Sequence, residues 1–518
     1  MSDYYHITLT ATLENTTALT IGNGEFGARN TSESAENSNK SQNYIQICTD
    51  ASDQLYIPGS TLKGNALAFS RRLQDEHHQT PDLSWLFGKE VAETLEKNAN
   101  NHRGQETRKA STGGQVRFLN ATAPSRTISS VTRNSIDPIT GAAQDKHLFN
   151  QEYAPPGTQF TLQLQIDSAT DVQLRQLAGF LTRWGDEQAR LGRNTNNNAG
   201  LFKIDNFRFT GLTKAAYLDW IRTPGTHAPE PTSFDTPAAT FSVADDYLTL
   251  DLNLMPLSPI FVGCDHIEYH DAQGKKIADK CEGKPKQQGT HEVIVAVKNK
   301  QGHPVIPATS MRGVLRHQAQ RILNTFSDLH GEQAAKDATA RLRQLLGGTE
   351  QAANFQLTDF IAAQNKAMDQ PFIAIDRFTG GVKGGTQSDT VAGGNYWVEK
   401  HAVTHYAGQI RLHPRLLDQA HHAELAVLLL LLRDLLDGEL RFGAYQAKGF
   451  GKTAATIQFQ PFSQPGLTSA ASNTLTDWEA FRKFWRSQPF PDFNQLTTAL
   501  HHKLDENTHS TTSGTEAN

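Results

Sequence analysis

Two short runs of this chain carry hydroxyls, a base and a glycine in the same order, each where a helix should begin. The first is Ile57-Pro-Gly-Ser-Thr-Leu-Lys-Gly64 and the second is Ile306-Pro-Ala-Thr-Ser-Met-Arg-Gly313. A helix start leaves unpaired N–H groups and the positive end of the helix dipole, which together suit a phosphate. Ser60, Thr61, Lys63 and Gly64 in the first run, and Ser310 and Arg312 in the second, add donors and positive charge. Taken singly, either run reads more simply as an N-cap in which Ser or Thr closes the helix end. The recurrence of the base at the same place shifts the reading toward anion binding.

Two glycine-rich loops make a second pair. They are Leu191-Gly-Arg-Asn-Thr-Asn-Asn-Asn-Ala-Gly200 and Gly443-Ala-Tyr-Gln-Ala-Lys-Gly-Phe-Gly451, the latter followed by Lys452. Glycine lets a backbone approach a phosphate chain closely, and Arg193, Lys448 and Lys452 supply charge. The candidate contacts are thus Gly192 and Arg193 in one loop and Gly443, Lys448, Gly449, Gly451 and Lys452 in the other. A helix C-cap followed by a turn is the plainer alternative. Three glycines with aromatic and basic residues between them exceed what a cap needs. A third constellation is Cys264-Asp-His-Ile-Glu-Tyr-His270 with Cys281. Its two thiols and two imidazoles, Cys264, His266, His270 and Cys281, have the chemistry to hold zinc tetrahedrally. The spacing matches no standard finger, so an ordinary polar loop remains the other reading.

These pairs belong to a long internal repeat. Pro58 and Pro307 lie 249 positions apart, and Gly192 and Gly443 lie 251 apart. Between them, Ser135-Ile-Asp-Pro-Ile-Thr-Gly141 resembles Ala374-Ile-Asp-Arg-Phe-Thr-Gly380, with Asp137 and Asp376 239 apart. Three landmarks in one order imply a tandem duplication. Alternating runs after each landmark predict strands from Phe160 and Gly408, and Leu-rich runs predict helices over 172–184 and 423–436. The order of strands and helices, with two helices per half, predicts an α+β fold. The expected divisions are a first domain over 1–222, a Pro/Thr-rich linker over 223–242, a second domain over 243–503 and a disordered Thr/Ser/Asn-rich tail over 504–518.

The chain has 518 residues, 37% hydrophobic and 20% charged, with a net charge of −5. That length suits two or three domains with real cores. No apolar run is long enough to span a membrane, and the first residues carry no secretory pattern. Three cysteines (Cys48, Cys264 and Cys281) fit a reducing cytoplasm. The overall charge neither favours nor excludes a nucleic-acid partner.

Together the IPGS-x-LKG run at Ile57–Gly64, its variant at Ile306–Gly313 and the loop GAYQAKGFGK at Gly443–Lys452 resemble the RAMP superfamily of CRISPR-associated proteins. The likeness is to backbone subunits of type III effectors, and two fused copies look like the double subunits of III-D-like systems. The resemblance implies two tandem ferredoxin-like (RRM-like) domains with extended β-hairpin arms, near 128–149 and 375–396. They would grip the phosphates of a guide RNA (crRNA) and position target RNA on it beside other RAMP-type subunits, while base pairing reads the sequence. It also implies an acid with a divalent metal, Mg or Mn, where such subunits cut target RNA. The family position falls on Asn43 in the first half and on Glu292, beside His291, in the second; Asp265 and Asp271 upstream in the same loop are the substitutes. A rival reading from the same superfamily is a metal-independent endoribonuclease that processes the guide with a histidine base. His317 is the one analogue of that histidine in the second half.

Overall fold

The computed structural model describes residues 3–27, 44–76, 83–91, 110–124, 126–136, 143–223, 227–234, 247–279, 289–326, 347, 353–373, 375, 377–381, 396–464 and 466–512. It is a mixed α+β structure built mainly of antiparallel sheets. The chain divides into two compact units: 1–133 with 148–195 and 199–244, and 245–518 with 134–147 and 196–198.

The first unit opens with β1 (Asp3–Asn15), β2 (Gly22–Gly27), β3 (Tyr44–Ile47) and β4 (Tyr56–Ile57), followed by helix α1 (Gly59–Glu76). Next come β5 (Val116–Phe118), β6 (Ala121–Thr122), β7 (Ser129–Ile136), β8 (Ala143–Tyr153), β9 (Gln159–Thr170), α2 (Asp171–Arg183), β10 (Phe202–Thr213), α3 (Lys214–Arg222) and β11 (Thr232–Phe234). The main sheet runs β11-β10-β1-β9-β6-β4, with β5 also on β9, and a second sheet runs β2-β3-β8-β7. Strand β9 alternates strictly: Phe160, Leu162, Leu164 and Ile166 are buried and their neighbours exposed, as a sheet with one face on a core requires. Helix α2 is closed by a capping box in which Thr170 and Gln173 satisfy each other's backbone.

The second unit repeats this plan. Its elements are β12 (Leu248–Pro256), β13 (Gly263–His270), β14 (Lys276–Asp279), β15 (His291–Ala296), β16 (Val305–Ile306), α4 (Ala308–Phe326), β17 (Phe355–Leu357) and β18 (Phe360–Ala362). They continue with β19 (Asn365–Phe372), β20 (Tyr396–Val403), β21 (Tyr406–Leu412), α5 (His422–Leu436), β22 (Thr453–Phe459), α6 (Trp478–Ser487) and α7 (Phe493–Thr512). The main sheet runs β16-β18-β21-β12-β22 with β17 on β21, and the second runs β14-β13-β15-β20-β19. Strand for strand this matches the first unit, except that β11 and β14 have no counterparts among the described residues. Even the parallel pairing recurs in otherwise antiparallel second sheets, between β3 and β8 and between β15 and β20.

Three expectations change. Part of the expected linker is structured: β11 pairs with β10, and Phe234 stacks on Tyr4 with ring centroids 4.2 Å apart, because an aromatic at a sheet edge finds apolar surface that composition does not reveal. The second arm starts earlier than expected. Its ladder begins at Asn365 against Val403 and runs to Phe372 against Tyr396. Helix α7 runs to Thr512, into the stretch expected to be disordered, because buried Leu496 and Leu500 anchor its start in the core.

Candidate nucleic-acid interface

Both helix starts are closed by a side chain from elsewhere in the sheet. The Gly59 N–H donates to Asn120 Oδ1 at 2.9 Å, and the Ala308 N–H donates to Asp359 Oδ1 at 2.8 Å. In the second unit a carboxylate therefore already occupies the place where a phosphate would sit. A Cβ on Gly59 would collide with the Phe118 carbonyl, so this glycine serves close packing. Arg312 is turned inward as well: its Nη2 donates to the Phe355 carbonyl at 3.4 Å, and the guanidinium lies 5.2 Å from the Phe355 ring centre. Ser310 is half-buried beside it. On α1, Ser60 and Gly64 are exposed while Thr61 and Lys63 are half-buried. Of the two runs, the first alone has a fully exposed hydroxyl, that of Ser60.

The glycine-rich loops share one backbone. Gly192, Asn194, Asn198 and Gly200 all have positive φ, and so do Gly443, Tyr445, Gly449 and Gly451, each 251 positions later. At the outer glycines a side chain has no room. A Cβ on Gly192 would meet the Thr20 carbonyl, and one on Gly443 the Phe261 carbonyl; Gly200 and Gly451 face Leu191 and Phe442 in the same way. The loops are pinned by equivalent bonds: Arg193 N–H to Thr20 O at 2.9 Å and Ala444 N–H to Phe261 O at 2.7 Å. Between the pins one turn of 3-10 helix presents 195–197 in the first loop and 446–448 in the second. Arg193, Lys448, Gly449 and Lys452 are exposed.

Side chains on the two loops differ sharply. Around the second, Phe372, Tyr396 and Tyr445 form a shallow bowl with ring centroids 5.3 to 5.8 Å apart. Lys448 Nζ sits over it, 4.2 Å from Phe372, 4.7 Å from Tyr396 and 5.4 Å from Tyr445, and donates to Tyr396 Oη at 2.6 Å. Buried Phe261 and Phe450 support Tyr445 from below. Burial, with the Tyr396 hydroxyl beside it, pushes the Tyr445 phenol up to about 12.

The expected catalytic residues are separated by strand geometry. His291 and Glu292 are neighbours on β15, so their side chains leave opposite faces of the sheet. Opposite them on β13 stand His270 and Tyr269 respectively. On one face His270 Nδ1 and His291 Nε2 share Asp369 Oδ2 at 2.9 and 3.0 Å, His270 Nε2 reaches Glu268 at 3.1 Å, and His291 packs on Trp397. Burial lowers the His270 pKa, but the two carboxylates outweigh it and raise it, favouring imidazolium. On the other face Tyr269 Oη donates to Glu292 Oε1 at 3.0 Å. His270, one of the four candidate zinc ligands, thus has both ring nitrogens on carboxylates. Cys264 Sγ lies 3.5 Å from the Val295 carbonyl. Cys281 and Asn43 fall outside the described residues, as do the side chains of Asp265 and His266. Among the described residues no group of three or more His, Cys, Asp or Glu is arranged to hold a metal ion.

Sequence reasoning missed a buried acid common to both units. Glu152 on β8 accepts from the Ile47 N–H at 3.1 Å, and Glu399 on β20 accepts from the Ala296 N–H at 3.1 Å. Glu399 also holds Lys298 Nζ at 2.6 Å and has His401 Nε2 at 3.4 Å. Burial raises its pKa, but His401 and Lys298 outweigh that and hold the carboxyl at about 2. The signal was an acid at the corresponding place in two strands, QEY and VEK.

The family model of the RAMP superfamily matches the chain twice, over residues 12–203 and 253–454. The chain belongs to the RAMP superfamily. Each match spans the second sheet, the motif helix and the glycine-rich loop of one unit. Membership of the RAMP superfamily implies a CRISPR-associated RNA-binding protein that works in multi-subunit complexes. No curated protein matches the chain. No helix among the described residues is long and apolar enough to cross a membrane.

Proposed function

We propose that this RAMP protein is a cytoplasmic guide-RNA-binding backbone subunit of a type III CRISPR effector, two subunits fused in one chain as in III-D-like systems. Each unit reads as a ferredoxin-like, RRM-like domain. In the first, β10-β1-β9-β6 with α1 after β1 and α2 after β9 gives the strand order of a βαββαβ sandwich, and β22-β12-β21-β18 repeats it. The observation that carries the proposal is the duplicated loop: one left-handed backbone, built twice, with exposed Arg193 on one copy and Lys448 and Lys452 on the other. Such a loop holds a sugar–phosphate chain without reading bases, and target RNA is then chosen by pairing to the guide. Exposed Ile373, Ile375 and Phe378 by the second arm offer apolar side chains to the guide–target duplex. The geometry favours holding over cutting, since His291 and Glu292 cannot face one phosphate from opposite sides of a strand.

The test is a salt series of RNA binding by the full chain. Each cation removed from beside a phosphate reduces the slope of log K against log salt by about 0.7 for single strands. Arg193→Ala combined with Lys452→Ala should flatten the slope by about 1.4 on that scale, while Arg312→Ala, tied to Phe355, should leave it unchanged. A slope indifferent to the double variant overturns the phosphate role.

A further inference from the structure

We infer that the bowl of Phe372, Tyr396 and Tyr445 is a stacking site for one unpaired nucleobase, with Lys448 as the movable clamp of the adjoining phosphate. The inference rests on the RNA-binding reading above and deepens it, because a loop that holds only backbone needs no aromatic floor. Three observations meet here. The rings are half-buried and inclined to one another by 30 to 36°, forming one concave π-surface rather than a closed core. Lys448, exposed on the loop, contacts only ring faces and a phenol hydroxyl among the described residues, with no described carboxylate beside it. Tyr445 is held at φ 61, a conformation that tyrosine adopts only at a cost, where the other loop carries the better suited Asn194.

An ammonium beside an open aromatic surface has the two halves of nucleotide recognition. Rings stack any base, since every base has a π-face, and the ammonium meets a phosphate. In the free protein the ammonium rests on the bowl by cation–π attraction. A base entering the bowl displaces it outward, toward the phosphate that the same nucleotide brings. The first loop has Asn194 and Asn197 at the positions of Tyr445 and Lys448, so the two halves treat their guide segments differently: one grips backbone, the other also grips a base.

The experiment uses the full chain and single-stranded RNA with one photoreactive 4-thiouridine moved along the strand, read by mass spectrometry of cross-linked peptides and by affinity. Tyr445→Asn and Lys448→Asn import the residues of the first loop, which already occupy this backbone, so the fold is preserved. Cross-links should fall on peptides containing Phe372, Tyr396 or Tyr445 at one strand position. Tyr445→Asn should weaken binding about tenfold with the salt slope unchanged, as loss of one stacked base predicts, and an abasic residue at that position should cost the unsubstituted chain the same. Lys448→Asn should reduce the salt slope by about 0.7. Salt-dependent binding that Tyr445→Asn leaves within twofold, or cross-links confined to other peptides, overturns the stacking site while leaving the RNA-binding role standing. Absence of any salt-dependent RNA binding by the unsubstituted chain overturns both.

Discussion

The loops at 191–201 and 442–452 have the same shape and opposite chemistry. Four left-handed positions recur in register, and the equivalent carbonyls close on the same glycines, yet one turn displays asparagines and the other a tyrosine and a lysine. The backbone is what the sheets demand, because each loop must dock its glycines on the turn that follows the first strand of its unit. The side chains facing outward are free of that demand, and there the copies have diverged. Shared features thus mark folding and differing ones mark function. The buried glutamates follow the same logic: the carboxylate on a neighbouring backbone N–H recurs, while Lys298 and His401 accompany only Glu399.

The largest effect should come from the shared glycines. Gly200→Ala and Gly451→Ala each place a side chain at φ near +80° and against a carbonyl. Left-handed backbone costs about 1–2 kcal/mol and the collision about 1–3 more. Urea unfolding followed through buried Trp184 in the first unit and Trp485 in the second should show equal losses in each. A marked inequality would break the equivalence of the loops.

Next in size is Glu399→Gln. The carboxyl titrates at about 2 when folded against an ordinary value of 4.5, and a depressed acid stabilises the fold above its unfolded pKa. At pH 7 the variant should lose about 3 kcal/mol, with the difference present above pH 4.5 and fading as pH falls toward 2. Glu152→Gln should cost less, since its amide oxygen still accepts from Ile47 and no Lys298 equivalent is stripped of charge: residue 49 is Thr. Parallel acid-unfolding curves for the two variants would remove that distinction. The smallest effect belongs to Gly449→Asn. Nothing lies within 4 Å of its Cβ position and Asn198 already holds the same conformation, so the change should cost less than about 0.5 kcal/mol.

Much of this architecture was legible in the sequence because it is written in local terms. Proline before a helix, alternation in Phe160–Ile166 and glycine spacing are short-range signals, and the duplication doubled each of them. The offset of 251 holds at the level of individual φ angles. What could not be read is whatever strand pairing assembles. Glu268, His270, His291 and Asp369 come together only because β13, β15, β20 and β19 lie side by side, and Phe372, Tyr396 and Tyr445 meet across 73 positions of chain. The inward turn of Arg312 was hidden for the same reason: a base after a helix start looks alike whether its partner is a phosphate or Phe355 from a distant strand. The Leu-rich run of α5 was recognised as a helix, but not why it is apolar nearly all round. α2 buries one face and leaves Val172 half exposed, whereas α5 buries twelve of its fifteen residues because α7 packs on its outer side.

That outer cover has a consequence for biosynthesis. Leu425 to Leu436 leave the ribosome some 64 residues ahead of Leu500, which at about 5–20 residues per second is a delay of roughly 3–13 s. During that interval the first unit is complete and the second presents a bare leucine surface to solvent. Such a nascent chain is a natural client for a ribosome-associated chaperone, and slow codons between positions 437 and 500 would prolong its exposure.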